Sequence, residues 1–300
     1  MVTDSRAFEA RAGGRVLARA RAWVTPGLRA GDGAPAGAIG GLESGDACAF
    51  RGVLDEAVAW LAGRGLGRAL APMNGDIWHG YRAMTRGFEL EPYLGEPRTP
   101  PEQAEGLEAA GFVVHQRWHS FELPGRGPLD ALAAAHSDAR RALPASGYRL
   151  QPLDGVPLDA LSPRLHEVLG RSFEGFLGYT PIPEADFRVV LGPALPALLR
   201  GASVLLLDPA GADAGFSVAF DDRVEPRLRR SLLHLGGLVP EARGRGVARG
   251  VLGDVIVRLR ALERATVLVT LVAEGSPVRR LFGPFAEDRR REYALFERRT

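Results

Sequence analysis

The segment from Leu232 to Val272 constrains the fold of this chain more than any other part of the sequence. It contains two apolar runs, residues 232–239 and 266–272, and the second is β-branched and continuously apolar, as a buried strand is. Between them lie the loop 243–248, Arg-Gly-Arg-Gly-Val-Ala, and then apolar residues at helical spacing. The pattern predicts a strand, a glycine-rich loop, a helix and a second strand.

The composition of that loop favours binding of an anion. Two glycines one residue apart permit unusual backbone angles and a close approach of a ligand to the main chain. Free N–H groups at the start of a helix, together with the positive helix end, attract a phosphate or pyrophosphate. Arg243 and Arg245 add positive charge. The alternative is an ordinary turn between a strand and a helix, with both arginines in solvent.

The segment resembles the acyl-CoA-binding motif of the GNAT superfamily of N-acetyltransferases, which reads Arg/Gln-x-x-Gly-x-Gly/Ala. Arg243, Gly246 and Ala248 fill its defined positions. In that family the loop amides hold the CoA pyrophosphate, and the pantetheine arm lies between two strands that splay apart. The resemblance implies that acyl-CoA, with acetyl-CoA as the first candidate, is bound by Leu238, Val239, Arg243, Gly244, Arg245, Gly246, Val247 and Ala248.

The order of predicted elements after residue 146 also resembles a GNAT domain, and the first half repeats part of that order. We therefore expect an α/β fold of mixed, mostly antiparallel sheets flanked by helices, with GNAT-like domains at 1–145 and 146–300. The first domain is expected to be truncated and degenerate. Its equivalent of the CoA loop, residues 45–52, lacks the Gly-x-Gly/Ala core and places Asp46 where an anion would bind.

The resemblance implies direct transfer of an acyl group from CoA to an amine, which needs a base and sometimes an acid. His234 on the first strand is the predicted base, because imidazole titrates near neutral pH; a histidine that only packs in the sheet is the alternative. Glu274 is a second candidate base. Phe282 occupies the position at which the family often has an acidic tyrosine, so Tyr179 or Tyr293 is expected to replace it, or the thiolate leaves unassisted.

Composition narrows the remaining functions. The formal charge of +2 gives no argument for nucleic acid, and all basic residues are arginines, so Schiff-base chemistry on lysine is excluded. Cys48 is the single cysteine, which excludes an intrachain disulfide and a cysteine metal cluster. We also expect no bound metal. No apolar run has the length of a membrane span, so we expect no membrane partner and a cytoplasmic location.

The acceptor is expected to be a small-molecule amine that binds near the loop 176–183 and near the first domain, and the oligomeric state is left open. The cluster Asn74–Arg82 is either a turn with packed aromatic residues or part of a pocket. Because the usual tyrosine is missing, two alternatives to acyl transfer also remain. One is a non-catalytic acyl-CoA-binding or regulatory protein, and the other is a GNAT-fold enzyme with different chemistry.

Overall fold

The computed structural model describes residues 4–288 and 290–300, apart from the side chain of Leu235. Twelve strands form one sheet in the described part. They are β1 Asp4–Ala12, β2 Arg15–Val24, β3 Ala36–Ser44, β4 Arg68–Ala71, β5 Ala83–Arg86, β6 Val113–Pro124, β7 Arg149–Pro152, β8 Val204–Leu207, β9 Asp213–Asp221, β10 Arg230–Leu238, β11 Thr266–Ala273 and β12 Arg291–Arg299.

Eight α-helices lie in the described part of the chain, and short 3-10 turns connect several of them. They are α1 Ala47–Ala62, α2 Pro101–Ala109, α3 Gly127–Ala135, α4 Ser137–Ala142, α5 Leu158–Phe173, α6 Glu184–Leu191, α7 Val247–Ala261 and α8 Val278–Phe282. His136 separates α3 from α4, and its Nε2 lies 2.6 Å from the Leu281 carbonyl oxygen.

The pairing pattern of the strands is nearly symmetric about the centre of the sheet. The order runs β1-β2-β3-β4-β12-β6-β11-β10-β9-β8-β7, with β5 paired to β12. On each side of the centre, an antiparallel pair leads to two parallel strands joined by a helix: β3 and β4 through α1, and β10 and β11 through α7. The sheet therefore contains the same unit twice, and β7 is the extra strand at one edge.

The two halves of the chain exchange strands at the centre of the sheet. The C-terminal strand β12 pairs with β4 of the first half, through Phe296–Arg299 and Arg68–Ala71. In the same way β6, from the first half, pairs with β11 of the second half, and β6 and β12 pair with each other. Each half of the sheet is thus completed by a strand from the other half of the sequence.

Two apolar clusters form the core. The larger one surrounds α5, α7 and the strands of the second half, and the smaller one fills the space between α1, α2 and the strands of the first half. The mixed sheet with flanking helices agrees with the fold class predicted from the sequence. The division at residue 145 stays a prediction, because the exchanged strands cross it in both directions.

Candidate functional site

The glycine-rich loop leaves a row of amides without acceptors. Gly244 and Gly246 have φ of 72° and 76°, a conformation that glycine adopts without strain, and a Cβ on either would meet no atom within 4 Å. Among the described residues, none accepts a backbone hydrogen bond from the N–H groups of residues 244–248. These amides lie at the N-terminus of α7, where the helix dipole is positive. The loop therefore has open space beside unpaired amides, which suits an anion.

Arginine side chains hold this loop in place. Arg243 donates from Nε to the Leu238 carbonyl at 3.1 Å and from Nη2 to the Ser172 carbonyl at 2.7 Å. Arg245 donates from Nε to the Glu241 carbonyl at 2.7 Å. Val239 is tied to the sheet, since its N–H donates to the Ala214 carbonyl at 3.0 Å. The loop is thus fixed by its own side chains, and its amides remain free.

The two parallel strands next to the loop separate. Main-chain pairing of β10 with β11 runs from Arg230 to Leu233 and extends no further in the described residues. A register shift between Leu233 and Leu235 also marks a bulge against β9. On the other strand, Leu271 has φ of 55°, and its N–H donates to Ser120 Oγ of β6 at 3.0 Å. The second strand thus turns toward β6 where the first one bulges.

The corresponding place in the first half is occupied by the protein itself. Asp46 caps α1, and its carboxylate accepts from the Ala49 N–H at 2.8 Å, so it fills the helix end at which an anion would bind. Asn74 fills the gap between β3 and β4, where its Oδ1 accepts from the Gly41 N–H at 2.9 Å. The loop 243–248 is therefore the open one of the two equivalent positions.

Solved structures share this architecture. A conserved protein from Enterococcus faecalis, described as a probable N-acyltransferase, aligns with a TM-score of 0.57 at 10% identity, over 98% of this chain and 62% of that chain. A GCN5-related N-acetyltransferase from Sphaerobacter thermophilus aligns with a TM-score of 0.51 at 12% identity, over 95% of this chain and 78% of that chain. The chain has a tandem GNAT fold.

Sequence comparison adds one distant relative. A bacterial ceramide synthase from Caulobacter vibrioides is 28% identical over 143 residues, which is 48% of this chain and 36% of that protein. The chain thus spans little more than a third of the length of this curated relative. No family model matches the sequence.

Within the GNAT fold, His234 lies at the point where the two strands separate. Its Nδ1 is 2.8 Å from Thr270 Oγ1 of β11, and its ring packs edge-on against Phe220 at 5.8 Å between centroids. Burial, and to a smaller extent the charge of Arg82, lowers the pKa of His234 to about 4. The imidazole is therefore neutral at neutral pH, and charging it inside the protein is costly.

The other predicted catalytic residues lie at different depths of the GNAT fold. Tyr179 is partly buried between α5 and α6, and burial, followed by the charge of Glu174, raises its pKa. Glu274 follows β11, with its side chain 41% exposed and 3.7 Å from His119 Nε2. The three predicted catalytic residues lie on different elements: His234 on β10, Glu274 directly after β11 and Tyr179 in the loop between α5 and α6.

The two aromatic residues discussed as replacements for the family's tyrosine are packed in the core. Phe282 is buried on α8, 5.2 Å from the Phe121 ring. Tyr293 of β12 is fully buried and donates its hydroxyl proton to Glu96 at 2.6 Å. Burial raises the pKa of Tyr293, so its proton is held by the protein.

The cluster Asn74–Arg82 is the contact between the first half and the loop that follows α5. Trp78 donates its indole N–H to the Thr180 carbonyl at 2.8 Å, and its ring meets those of Tyr179 and Phe187 at 5.9 and 6.0 Å. The half-exposed His79 bonds to Asp76 at 2.8 Å. The aromatic residues of this cluster thus pack against the loop 176–183, and its role as part of a pocket stays a prediction.

Sequence reasoning missed the residues around Arg82. The guanidinium lies 3.8 Å from the Tyr81 ring centroid and 4.3 Å from that of Trp118, which belongs to β6. Arg82 also has φ of 83°, which is rare for a residue with a side chain. The aromatic and charged composition of residues 74–82 was the available signal. The partner Trp118 is supplied by a strand distant in sequence.

Surface cavities of about 520 and 510 Å³ are not lined by the loop 243–248. One lies beside His115 and Arg299, and the other lies beside Trp23 and Asn74, the first residue of the cluster 74–82. Within the described part, no group of three or more His, Cys, Asp or Glu side chains is arranged to hold a metal ion. The helices described there are all too short or too polar to cross a bilayer.

Proposed function

We propose that this protein is an acyl-CoA-dependent N-acyltransferase, with acetyl-CoA as the first candidate donor and the amine of a small molecule as acceptor. The observation that carries the proposal is the row of amides from Gly244 to Ala248, which has no internal acceptor among the described residues and lies at the start of α7. Such a row suits the pyrophosphate of CoA. The gap between β10 and β11 then receives the pantetheine arm.

The reaction needs a neutral amine beside the thioester. The amine nitrogen forms a bond to the acyl carbon and becomes positively charged. The carbon–sulfur bond breaks, the thiolate leaves, and the nitrogen loses one proton to give the amide. A main-chain N–H group of β10 near Leu238 is proposed to stabilise the oxyanion that forms on the carbonyl oxygen. The distant relative from Caulobacter vibrioides is described as a bacterial ceramide synthase, and a ceramide is an N-acylated amine, which is compatible with this chemistry.

His234 is the proposed proton acceptor. It is neutral at the pH of the reaction and lies where the strands separate, with Nδ1 oriented by Thr270. Its low pKa makes His234 a weak base in the protein without substrate. Proton transfer to it is favoured only when the bound substrate lowers the free energy of the charged imidazolium. Glu274 is the alternative base, acting through water, because its carboxylate is exposed.

Tyr179 is the proposed proton donor to the departing thiolate. Burial raises the pKa of its phenol, which is therefore protonated at neutral pH. The non-catalytic alternative is favoured by Phe282, which packs in the core at the position of the family's tyrosine. Turnover distinguishes the two functions: release of CoA thiol from acetyl-CoA in the presence of an amine panel supports the enzyme, and binding without turnover supports the alternative.

The loop is tested by Gly246→Asp, with Gly65→Asp as the matched control. Both glycines have positive φ, 76° and 74°, and neither Cβ would meet an atom within 4 Å. Both variants therefore carry the same backbone strain, about 1–2 kcal/mol. Only the carboxylate introduced by Gly246→Asp would bring a negative charge to the proposed pyrophosphate position.

We expect Gly246→Asp to weaken CoA binding by more than about 30-fold in isothermal titration, a change of about 2 kcal/mol. Gly65→Asp should leave CoA affinity unchanged, because it lies after α1 in the first half. Equal affinities for CoA in both variants and the wild type would remove the site assignment.

A further inference from the structure

One cationic side chain from the first half of the chain, Arg82, has no acidic partner among the described residues. No described carboxylate lies within ion-pair distance of its guanidinium, which donates to the Tyr81 hydroxyl and contacts the aromatic faces of Tyr81 and Trp118. Its Nε is buried without an acceptor among the described residues, while part of the residue stays accessible. Burying a charge without a counter-ion is unfavourable, so this arrangement suits an anion supplied from outside.

The position of Arg82 is fixed by packing. The guanidinium contacts the rings of Tyr81 and Trp118, and contacts of this kind stabilise a cation and hold its plane. The main-chain N–H of Arg82 donates to the Pro72 carbonyl at 3.0 Å, and the residue is held at a φ of 83°. Strain retained in a well-packed residue is a feature of ligand-binding sites.

The ring of Trp118, which the guanidinium contacts, belongs to a strand that pairs with β11 of the second half. Trp118 pairs with Ala273 of β11, just beyond the point at which β11 separates from β10. The charge of Arg82 is close enough to His234 to lower the pKa of that imidazole, after the larger effect of burial. Trp118 thus connects Arg82 to the strand that carries Thr270, the hydrogen-bond partner of His234.

We propose that Arg82 binds an anionic group, a carboxylate or a phosphate, on the acceptor amine. This inference rests on the function proposed above and narrows the acceptor to amines that carry an acidic oxyanion. The planar guanidinium binds such groups through paired hydrogen bonds, and its buried Nε would gain an acceptor. An anion placed between Arg82 and His234 would also remove part of the repulsion that opposes a proton on the imidazole.

The substrate test compares matched amines. Leucine is compared with leucine amide, and O-phosphoethanolamine with ethanolamine, each with acetyl-CoA and detection of released thiol. A long-chain alkylamine is included as a neutral apolar acceptor. The wild type is expected to prefer one of the anionic amines over its neutral partner by at least about tenfold in kcat/KM, equivalent to about 1.4 kcal/mol. Equal use of both members in each pair, or preference for the alkylamine, would overturn the inference.

The variant test uses Arg82→Gln, Arg82→Lys and the control Arg86→Gln. Arg86 lies four positions later on β5, with its side chain 66% exposed. Arg82→Gln should raise KM for the anionic amine at least about tenfold and change KM for the neutral amine less than about threefold. Arg82→Lys should recover part of the loss, because it restores the charge without the planar fork. An equal loss for both amines would show that Arg82 only supports the fold.

A binding test separates this inference from the proposed function. Isothermal titration compares N-acetylleucine with N-acetylleucine amide, and needs no turnover. Binding of the carboxylate by the wild type and by Arg86→Gln, but not by Arg82→Gln, would support the anion site even if acetyl-CoA were never consumed. The inference is wrong if N-acetylleucine and N-acetylleucine amide bind with the same affinity. It is also wrong if neither ligand binds and no anionic amine is acylated. Acylation of neutral amines does not change either conclusion. If Arg82→Gln fails to fold, the affinities of the wild type and of Arg82→Lys for the same two ligands are compared instead.

Discussion

His234 shows how an individual residue is changed by its surroundings. The sequence suggested an imidazole that titrates near neutral pH, but burial at the separation of β10 and β11 lowers its pKa to about 4. Its Nδ1 is within hydrogen-bond distance of Thr270, and its ring contacts Phe220, so the neutral form is well accommodated. The proposed base is therefore available without prior deprotonation at neutral pH.

The lowered pKa predicts how His234 affects stability. In the unfolded chain this histidine is protonated below about pH 6.5, whereas the folded protein protonates it only near pH 4. The unfolded state binds more protons in this window, so the free energy of unfolding decreases as the pH falls from about 6.5 to 4. We expect His234→Gln to lose less stability than the wild type when urea unfolding is compared at pH 7 and pH 5.

A comparison at higher pH provides the control. Between pH 8 and pH 7 His234 is mostly neutral in both the folded and the unfolded state, so the wild type and His234→Gln should change in stability by nearly the same amount there. If His234→Gln and the wild type lose the same free energy of unfolding between pH 7 and pH 5, the buried neutral state assigned to His234 is wrong.

At the scale of the elements, the separation of the strands depends on polar contacts between β6 and β11. Ser120 Oγ accepts from the Leu271 N–H at 3.0 Å and lies 3.2 Å from the Tyr93 hydroxyl, and the serine is fully buried. Leu271 adopts a left-handed conformation at this point, φ 55°. One serine from the first half thus satisfies the main chain where β11 is distorted.

This arrangement predicts a cost for removing the hydroxyl. Ser120→Ala leaves the Leu271 N–H and the Tyr93 hydroxyl buried without that partner, so we expect the free energy of unfolding to fall by about 1–3 kcal/mol. Ser5→Ala, at an exposed position of β1, should change it by less than about 0.5 kcal/mol. Urea unfolding measures both values, and equal stability of the two variants would contradict the role given to Ser120.

The elements show which features could be predicted from sequence. The helix α7 has an apolar stripe that begins directly after the loop 243–248, and it was predicted from that pattern. Strand β1 was missed because most of its residues are exposed, and β5 because it has only four residues. The loop 243–248 was predictable because its chemistry is local. The neighbours of Arg82 were not, because they are brought together only by pairing of distant strands.

At the scale of the whole molecule, the two halves depend on each other through their exchanged strands. β4 and β11 end their own halves of the sheet, and each is covered by a strand from the other half, β12 and β6. The proposed acceptor side is shared in the same way, because Trp78 contacts Tyr179 and Arg82 lies near His234. The first half would thus contribute residues to the proposed site in the second half, although the start of its own helix α1 is capped by Asp46.

The exchange predicts that neither half is stable alone. A fragment of residues 146–300 lacks β6 and leaves the edge of β11 unpaired, and a fragment of residues 1–145 lacks β12. We expect each fragment to show no cooperative urea unfolding and no CoA binding, and the coexpressed fragments to recover both. A monomeric fragment 146–300 that unfolds cooperatively and binds CoA would contradict this dependence.

The proposed function depends on the position at which the diphosphate of CoA binds. A crystal structure of the complex with coenzyme A tests that position most directly. We predict diphosphate oxygens within hydrogen-bond distance of main-chain nitrogens between Gly244 and Ala248, with the pantetheine arm between β10 and β11. A structure in which coenzyme A lies elsewhere, or in which these amides are bonded within the protein while it is bound, would contradict the account.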